Sequence, residues 1–293
     1  MRALIVSLLI WSNYHTIVRI FKWLTLVLFA YVFAAFLAHP DWPAVLKTTV
    51  LPTVQWSSAY WATLVGILGT TISPYLFFWQ AAQEVEEEKA KGRVTIEQRR
   101  GATAGELRRC RNDVLTGMFF SNLVMYFIIL TTAATLHARG ITQITTARQA
   151  AEALRPLAGN AAYLLFSLGL IGAGMLGVPV LAGSCAYAIA EAAGWVGSLE
   201  QHPTLAQGFY SIIALAMCGG MALDYAGINA VRLLFGSAVV NGILAPPLIV
   251  LVVLLTSNPE VMGKHANGPA LRYLGWTCAA VMSIAGVLMF ATS

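Results

Sequence analysis

The stretch 69–80, GTTISPYLFFWQ, sets Thr70, Thr71, Ser73 and Pro74 inside an apolar run long enough to cross a bilayer. A plain membrane anchor has no use for three hydroxyls and a proline at that depth. Proline lacks an N–H, so Pro74 cannot donate to the Thr70 carbonyl four residues earlier. Gly66 and Gly69 lower the helical preference just before it. Unpaired carbonyls in the bilayer core are tolerated only where they face protein or a water-filled cavity. The chemistry leaves two readings open. One is a kink whose free carbonyls are satisfied by the Thr and Ser side chains. The other is a helix break, at Gly69 and Pro74, whose carbonyls and hydroxyls hold a cation.

Few other polar groups lie at membrane depth. Asn241, in GSAVVNGILAPP, precedes Gly242 and the Pro246-Pro247 pair. It reads equally as an interhelical hydrogen bond or as an ion or substrate contact. Asn122 follows Ser121 in another apolar run. Glycines at 169, 172, 174, 177 and 183 read as a close-packing surface. No Asp, Glu, Lys or Arg stands near the centre of any apolar run; Asp113, Glu191 and Asp224 sit at run ends. A hard divalent cation normally needs a carboxylate, so these residues amount to part of a cation site at most. Enzyme signatures are absent: no GxSxG, HExxH or P-loop motif, and no His or Lys near Ser73 in sequence to activate it. No enzyme activity and no permanently bound cofactor are therefore expected. The four cysteines form no metal-binding spacing, and Cys185, Cys218 and Cys278 read as small buried apolar residues.

The elements that must position these groups are membrane helices. Of 293 residues 58% are hydrophobic and only 11% charged, about half the charge of a soluble chain. Eight apolar segments are expected in one membrane domain, at about 1–13, 18–38, 58–82, 113–136, 160–192, 207–222, 229–256 and 271–292. The first is too short to span, and no small-residue cleavage site marks it as a signal peptide. The chain is thus expected to begin partway through a span. The net charge of +5 is not a nucleic-acid signal, because the basic residues cluster. Placing the charged loop 83–112 in the cytoplasm puts Lys89, Lys91, Arg93, Arg99, Arg100, Arg108, Arg109 and Arg111 on that side, with Arg19, Lys22, Lys264 and Arg272. Arg2, Lys47, Arg139, Arg148, Arg155 and Arg232 fall opposite, which is the positive-inside bias. Within that loop, EVEEEK is expected to carry the third segment onward as an amphipathic helix, and the charge run reads as a solvated face.

The block GTTISPYLFFWQAAQEVEEE resembles the sixth helix of the NRAMP family of divalent metal transporters. SNLVMYFIILTTAATLH, LIGAGMLGVPVLAGSCAYAIAEAAGW and VVNGILAPPLIVLVVLLTSN are similar to the seventh, eighth and tenth helices of a bacterial branch of that family. The resemblance implies an all-α polytopic membrane protein with part of a leucine-transporter-like, inverted five-plus-five repeat fold. The eight segments would be helices four to eleven, with the family's metal-binding Asp on a first helix that has no counterpart here. Aligned on the proline, the family's Ala-Thr-Val-Met-Pro-His is matched by Thr70-Thr71-Ile72-Ser73-Pro74-Tyr75. Thr70 then supplies a carbonyl ligand, and Ser73 replaces a thioether-bearing Met. Tyr75 stands where a His assists proton movement. A hydroxyl in place of a thioether favours harder ions such as Mn²⁺ or Mg²⁺. The expected function is secondary transport of divalent metal cations by alternating access in a bacterial inner membrane. The metal is the substrate, and Tyr75 and Asn241 line its path. Two other readings remain open: a truncated membrane remnant that does not transport, and an amino-acid-type secondary transporter on the same fold.

Overall fold

The computed structural model describes residues 26–199 and 201–292. The expected segment 1–13 and the start of 18–38 lie outside these residues. All regular structure among the described residues is helical. A 3₁₀ turn, Leu26–Phe29, runs into α1 (Ala30–Leu37). The chain then turns through His39, whose φ of +47° is left-handed. Helix α2 (Trp42–Val50) leaves at 117° to the preceding helix. Next come α3 (Ser58–Thr71), α4 (Pro74–Ala90), α5 (Ala104–Thr135) and α6 (Ala162–Ala193). They are followed by α7 (Gln207–Tyr225), α8 (Ala230–Ser257) and α9 (Pro269–Ala291). Among the described residues five helical stretches are long and apolar enough to cross a membrane, and the bent pair passes the same test when taken as one. The all-α polytopic class expected from composition is the class observed.

Two compact units are present. The first contains residues up to Val50 and Trp79–Ala222. In it Tyr31 and Ala34 of α1 are buried with Leu136, Ala153, Leu154 and Ala162. The Thr131 hydroxyl of α5 donates to the Tyr31 carbonyl at 2.9 Å, so this contact also satisfies a buried polar group. A second cluster gathers Ala186, Tyr187 and Ala190 of α6 with Phe209 of α7 and the flanking Trp79. Gly183 makes room for that indole: a Cβ there would lie 2.6 Å from Trp79 Cζ3.

The second unit contains Leu51–Phe78 and the chain from Leu223 onward. Helices α3, α8 and α9 pack against one another in it. Trp61 and Val65 of α3 are buried with Ala285 and Met289 of α9. Ala245, Ile249 and Val253 of α8 are buried with Ala279 and Met282. Lipid tails are as apolar as these side chains, so burial alone does not drive such helices together; close packing of small residues does. The closest approach is glycine on glycine. A Cβ on Gly69 would lie 2.1 Å from the Ala238 carbonyl oxygen and 2.3 Å from the Gly242 nitrogen. A Cβ on Gly242 would lie 2.3 Å from the Val65 carbonyl oxygen. The glycines of α3, read from sequence only as weakening the helix, are thus a contact surface. Gly69→Ala and Gly242→Ala are expected to cost about 1–3 kcal/mol or to prevent folding, because backbone cannot move aside as a side chain does. Gly286→Ala, where a Cβ meets nothing within 4 Å, is expected to be neutral. Thermal unfolding in detergent, followed by size-exclusion chromatography, separates these outcomes.

The connection between α4 and α5 differs from the long loop drawn at 83–112. Helix α4 continues to Ala90 as expected, but α5 begins at Ala104, nine residues before its apolar run. A capping box starts it: Thr103 Oγ1 accepts from the Glu106 N–H at 3.2 Å, and Glu106 Oε2 accepts from the Thr103 N–H at 2.8 Å. Hydropathy marks where a helix enters lipid and is blind to where it begins. Arg93 pairs with Glu106 at 3.1 Å and also with Glu88, while Lys91 pairs with Glu88 at 2.9 Å. The end of α4 is thereby tied to the start of α5. The backbone and hydroxyl donors of Thr103 hold the Glu106 carboxyl down at about 2. A depressed carboxyl stabilises above its unfolded value near 4.5 and loses that effect as pH falls toward 2. Glu106→Gln is therefore expected to speed amide exchange in the first turn of α5 at neutral pH. The difference from wild type should fade in acid, as measured by hydrogen–deuterium exchange with correction for intrinsic rates.

Candidate functional site

The break at 72–73 is local chemistry carried through. Helix α3 keeps its ladder as far as the Ile72 N–H, which donates to Leu68 at 2.8 Å. Ile72 then leaves the helical region, with φ −117° and ψ 77°. Pro74 is well placed to open α4, where a missing N–H costs nothing. The Ser73 carbonyl accepts the Leu76 N–H at 3.0 Å as the new helix starts. A continuous helix would have satisfied the Gly69 and Thr70 carbonyls with the N–H groups of residues 73 and 74. Position 74 has none to give.

Ser73 replaces what the break removes. Its hydroxyl lies 2.7 Å from the Gly69 carbonyl oxygen and 3.2 Å from that of Thr70. The side chain is only 1% exposed. One hydroxyl carries one hydrogen, so it serves one carbonyl at a time. The two threonines do not help: the hydroxyls of Thr70 and Thr71 both donate back to the Ile67 carbonyl, at 2.8 and 2.9 Å. The result is three neutral oxygens within one turn, from Gly69, Thr70 and Ser73. The proline-kink reading accounts for this arrangement as it stands, and the oxygens remain a donor set of the kind a hard cation takes.

The other sequence-derived positions are arranged less tightly. Asn241 lies on α8 next to Gly242, whose backbone packs on Val65 and Gly69. It is half-buried, and no interhelical hydrogen bond to its amide is present among the described residues. Tyr75 is half-buried in the first turn of α4, and no hydrogen bond joins it to Ser73 or Thr70. Asn122 donates to the Met118 carbonyl of its own helix at 2.7 Å, which is local satisfaction. Among the described residues no three His, Cys, Asp or Glu side chains converge.

Sequence reading missed one group. Pro246 denies the Gly242 carbonyl its helical donor just as Pro74 denies Thr70. Helix α8 nevertheless runs unbroken through Pro246 and Pro247. The signal was available as Gly242 four residues before Pro246, on the helix that faces Gly69. The cysteines also depart from expectation: Cys185 and Cys218 are exposed and Cys278 is half-buried. An apolar span presents as much surface to lipid as to its neighbours, so an apolar residue there is not thereby a core residue.

Removing the Ser73 hydroxyl leaves the Gly69 and Thr70 carbonyls without that donor. Ser73→Ala is expected to lose about 1–3 kcal/mol, whereas Ser73→Thr, which keeps a donor, should retain most of the stability. Thermal midpoints of the purified variants in one detergent decide this. Equal midpoints for wild type and Ser73→Ala would mean that the hydroxyl is not satisfying the break.

Comparison with known proteins gives the site its setting. A family model described as "Natural resistance-associated macrophage protein-like" matches residues 1–292. Among similar curated proteins, the divalent metal cation transporter MntH of Caldanaerobacter subterraneus subsp. tengcongensis is 26% identical over 281 residues, covering 93% of this chain and 61% of the relative. MntH of Vibrio campbellii is 28% identical over 277 residues, covering 91% and 58%. MntH of Deinococcus radiodurans is 26% identical over 261 residues, covering 86% and 54%. The chain therefore spans between about half and three fifths of the length of these relatives.

Proposed function

This chain belongs to the natural resistance-associated macrophage protein-like (Nramp) family, and on that premise we propose that it serves in secondary transport of divalent metal cations by alternating access. As a member of that family it is a multi-pass membrane protein with part of the leucine-transporter-like fold. The bacterial sources of its relatives support a plasma-membrane location. Their names concern divalent metal cation transport, and that is the activity carried over here as a proposal.

The observation that carries the reading is the Ser73 hydroxyl bridging two carbonyls at a helix break. An octahedral ion with metal–oxygen distances of about 2.1 Å has neighbouring ligand oxygens about 3 Å apart. The Ser73 oxygen sits 2.7 Å from the Gly69 oxygen and 3.2 Å from the Thr70 oxygen, on either side of that spacing. In our reading the Ser73 hydrogen guards the carbonyls while no ion is present. An arriving cation takes its place, drawing on the Thr70 carbonyl and the Ser73 oxygen. The Asn241 amide, with no partner among the described residues, adds a further contact. Tyr75 lies beside the path. A neutral donor set of this kind suits a hard ion such as Mn²⁺ or Mg²⁺ better than a soft one.

The oxygens brought together here, from Gly69, Thr70 and Ser73, are all neutral, so in this reading the ion's charge is met by an anionic group outside this set. That observation keeps a second reading alive, in which this chain holds membrane helices but does not transport. Both are decided by reconstituting the protein in vesicles and measuring Mn²⁺, Mg²⁺ and Cd²⁺ uptake and binding for wild type and Ser73→Met. Transport predicts Mn²⁺ or Mg²⁺ entry in wild type. It also predicts a shift toward Cd²⁺ of about tenfold, or 1.4 kcal/mol, in the thioether variant. Neither uptake nor binding by a folded wild-type protein would leave the non-transporting reading.

A further inference from the structure

The charged segment between α4 and α5 looks balanced in sequence but is not balanced in space. Its carboxylates are concentrated on one group of bases: Glu86 pairs with Lys89, and Glu88 and Glu106 hold Lys91 and Arg93. Arg99, Arg100, Arg108, Arg109 and Arg111 form no ion pair with any described residue. Arg99 uses its Nε to donate to the Thr95 carbonyl at 3.3 Å, which fixes the side chain without neutralising it. Within 94–112 only Glu97 and the already paired Glu106 offset these five guanidinium groups.

Apolar side chains are presented beside them. Val94 is 66% exposed and Ile96 is 71% exposed. They are held out by an ordered turn: Gln98 Oε1 accepts the N–H groups of Val94 and Thr95 at 2.8 and 3.0 Å. On α5, Leu107 is also exposed, between Glu106 and the pair Arg108-Arg109. The location matters. At 1.5 Å rise per residue, Arg108 stands about 9 Å along α5 from Val114, where the apolar run begins. That is within about one Debye length, 10 Å at 0.1 M salt, of the membrane surface. Basic residues so placed are each drawn to an anionic bilayer. Guanidinium groups add bidentate contacts to phosphate oxygens, and exposed apolar side chains can enter the headgroup boundary.

We propose that the segment 94–112 docks on the surface of the same membrane, with Arg99, Arg100, Arg108, Arg109 and Arg111 binding the phosphates of anionic lipids and Val94 and Ile96 entering the interface. The docked segment fixes the junction between α4 and α5 against the bilayer. This does not depend on which ion the break takes, or on whether it takes one.

The test is hydrogen–deuterium exchange of the full chain in nanodiscs of phosphatidylcholine alone and with phosphatidylglycerol added. Exchange across 94–112 should slow about tenfold with the anionic lipid. High salt should remove the effect, and so should the five-fold Arg→Gln variant at 99, 100, 108, 109 and 111. Lys47→Gln with Arg139→Gln, distant in sequence, should leave it intact, and an unchanged exchange pattern in α8 and α9 shows that each variant is folded. Inorganic phosphate added to neutral nanodiscs should not reproduce the protection; if it does, the residues bind free phosphate rather than lipid and the proposal fails. Equal exchange in neutral and anionic nanodiscs overturns it as well and leaves a solvated charged face.

Discussion

The contact between Gly69 of α3 and Gly242 of α8 is the constraint on which the second unit depends. With no Cβ on either side, carbonyl oxygens and amide nitrogens of the two helices approach to the distance that a methyl group would occupy. In lipid there is no hydrophobic gain in bringing helices together, so this proximity is stabilised by dispersion between closely packed small residues. Ala238 and Ala245, buried on the same helix, extend that surface. The seam fixes where the end of α3 lies, and therefore where the break begins.

The break inherits that placement. Immediately after Gly69 the chain loses two helical hydrogen bonds, a loss that lipid would penalise by several kcal/mol for each group left bare. Ser73 offsets it with a single hydroxyl shared between two acceptors. A carbonyl pair served by one hydrogen is a pair with spare lone-pair capacity. On the proposed reading, structural repair and readiness for a cation are the same feature seen from two sides. Across the seam, the Gly242 carbonyl has also lost its donor to a proline. The two helices that meet glycine to glycine are each depleted of a backbone hydrogen bond within one turn of the contact.

Much of this was legible along the chain, and the unread parts share a cause. Most of the long apolar run at 160–192 lies on α6, but its glycines were only partly a packing surface: Gly169 meets Leu28 and Gly183 meets Trp79, whereas a Cβ on Gly174 or Gly177 would meet nothing within 4 Å. The resemblance of GTTISPYLFFWQAAQEVEEE to a family helix agrees with the match over residues 1–292. The early start of α5 was missed because a capping box works through hydrogen bonds in a polar stretch where hydropathy is silent. The exposed cysteines were misread because apolarity cannot distinguish lipid from core. Which arginines would stay unpaired was also hidden, since Glu86, Glu88 and Glu106 could have paired with any of several bases nearby.

The sequence by itself determined that the chain is a set of membrane helices, that Pro74 disturbs one of them as a kink or a break, and that the disturbed turn is rich in neutral oxygen donors. Those are consequences of local covalent chemistry: side-chain apolarity, a missing N–H and hydroxyl groups within one turn. Only the tertiary structure decided that Ser73, rather than Thr70 or Thr71, covers the broken carbonyls, and that Gly69 is a seam with Gly242. It also decided that Asn241 stands beside that seam without a partner among the described residues. These depend on distances between groups far apart in the chain, or on which of several equivalent hydrogen bonds a side chain adopts. Such choices are set by the packing of whole helices and not by the residues on either side.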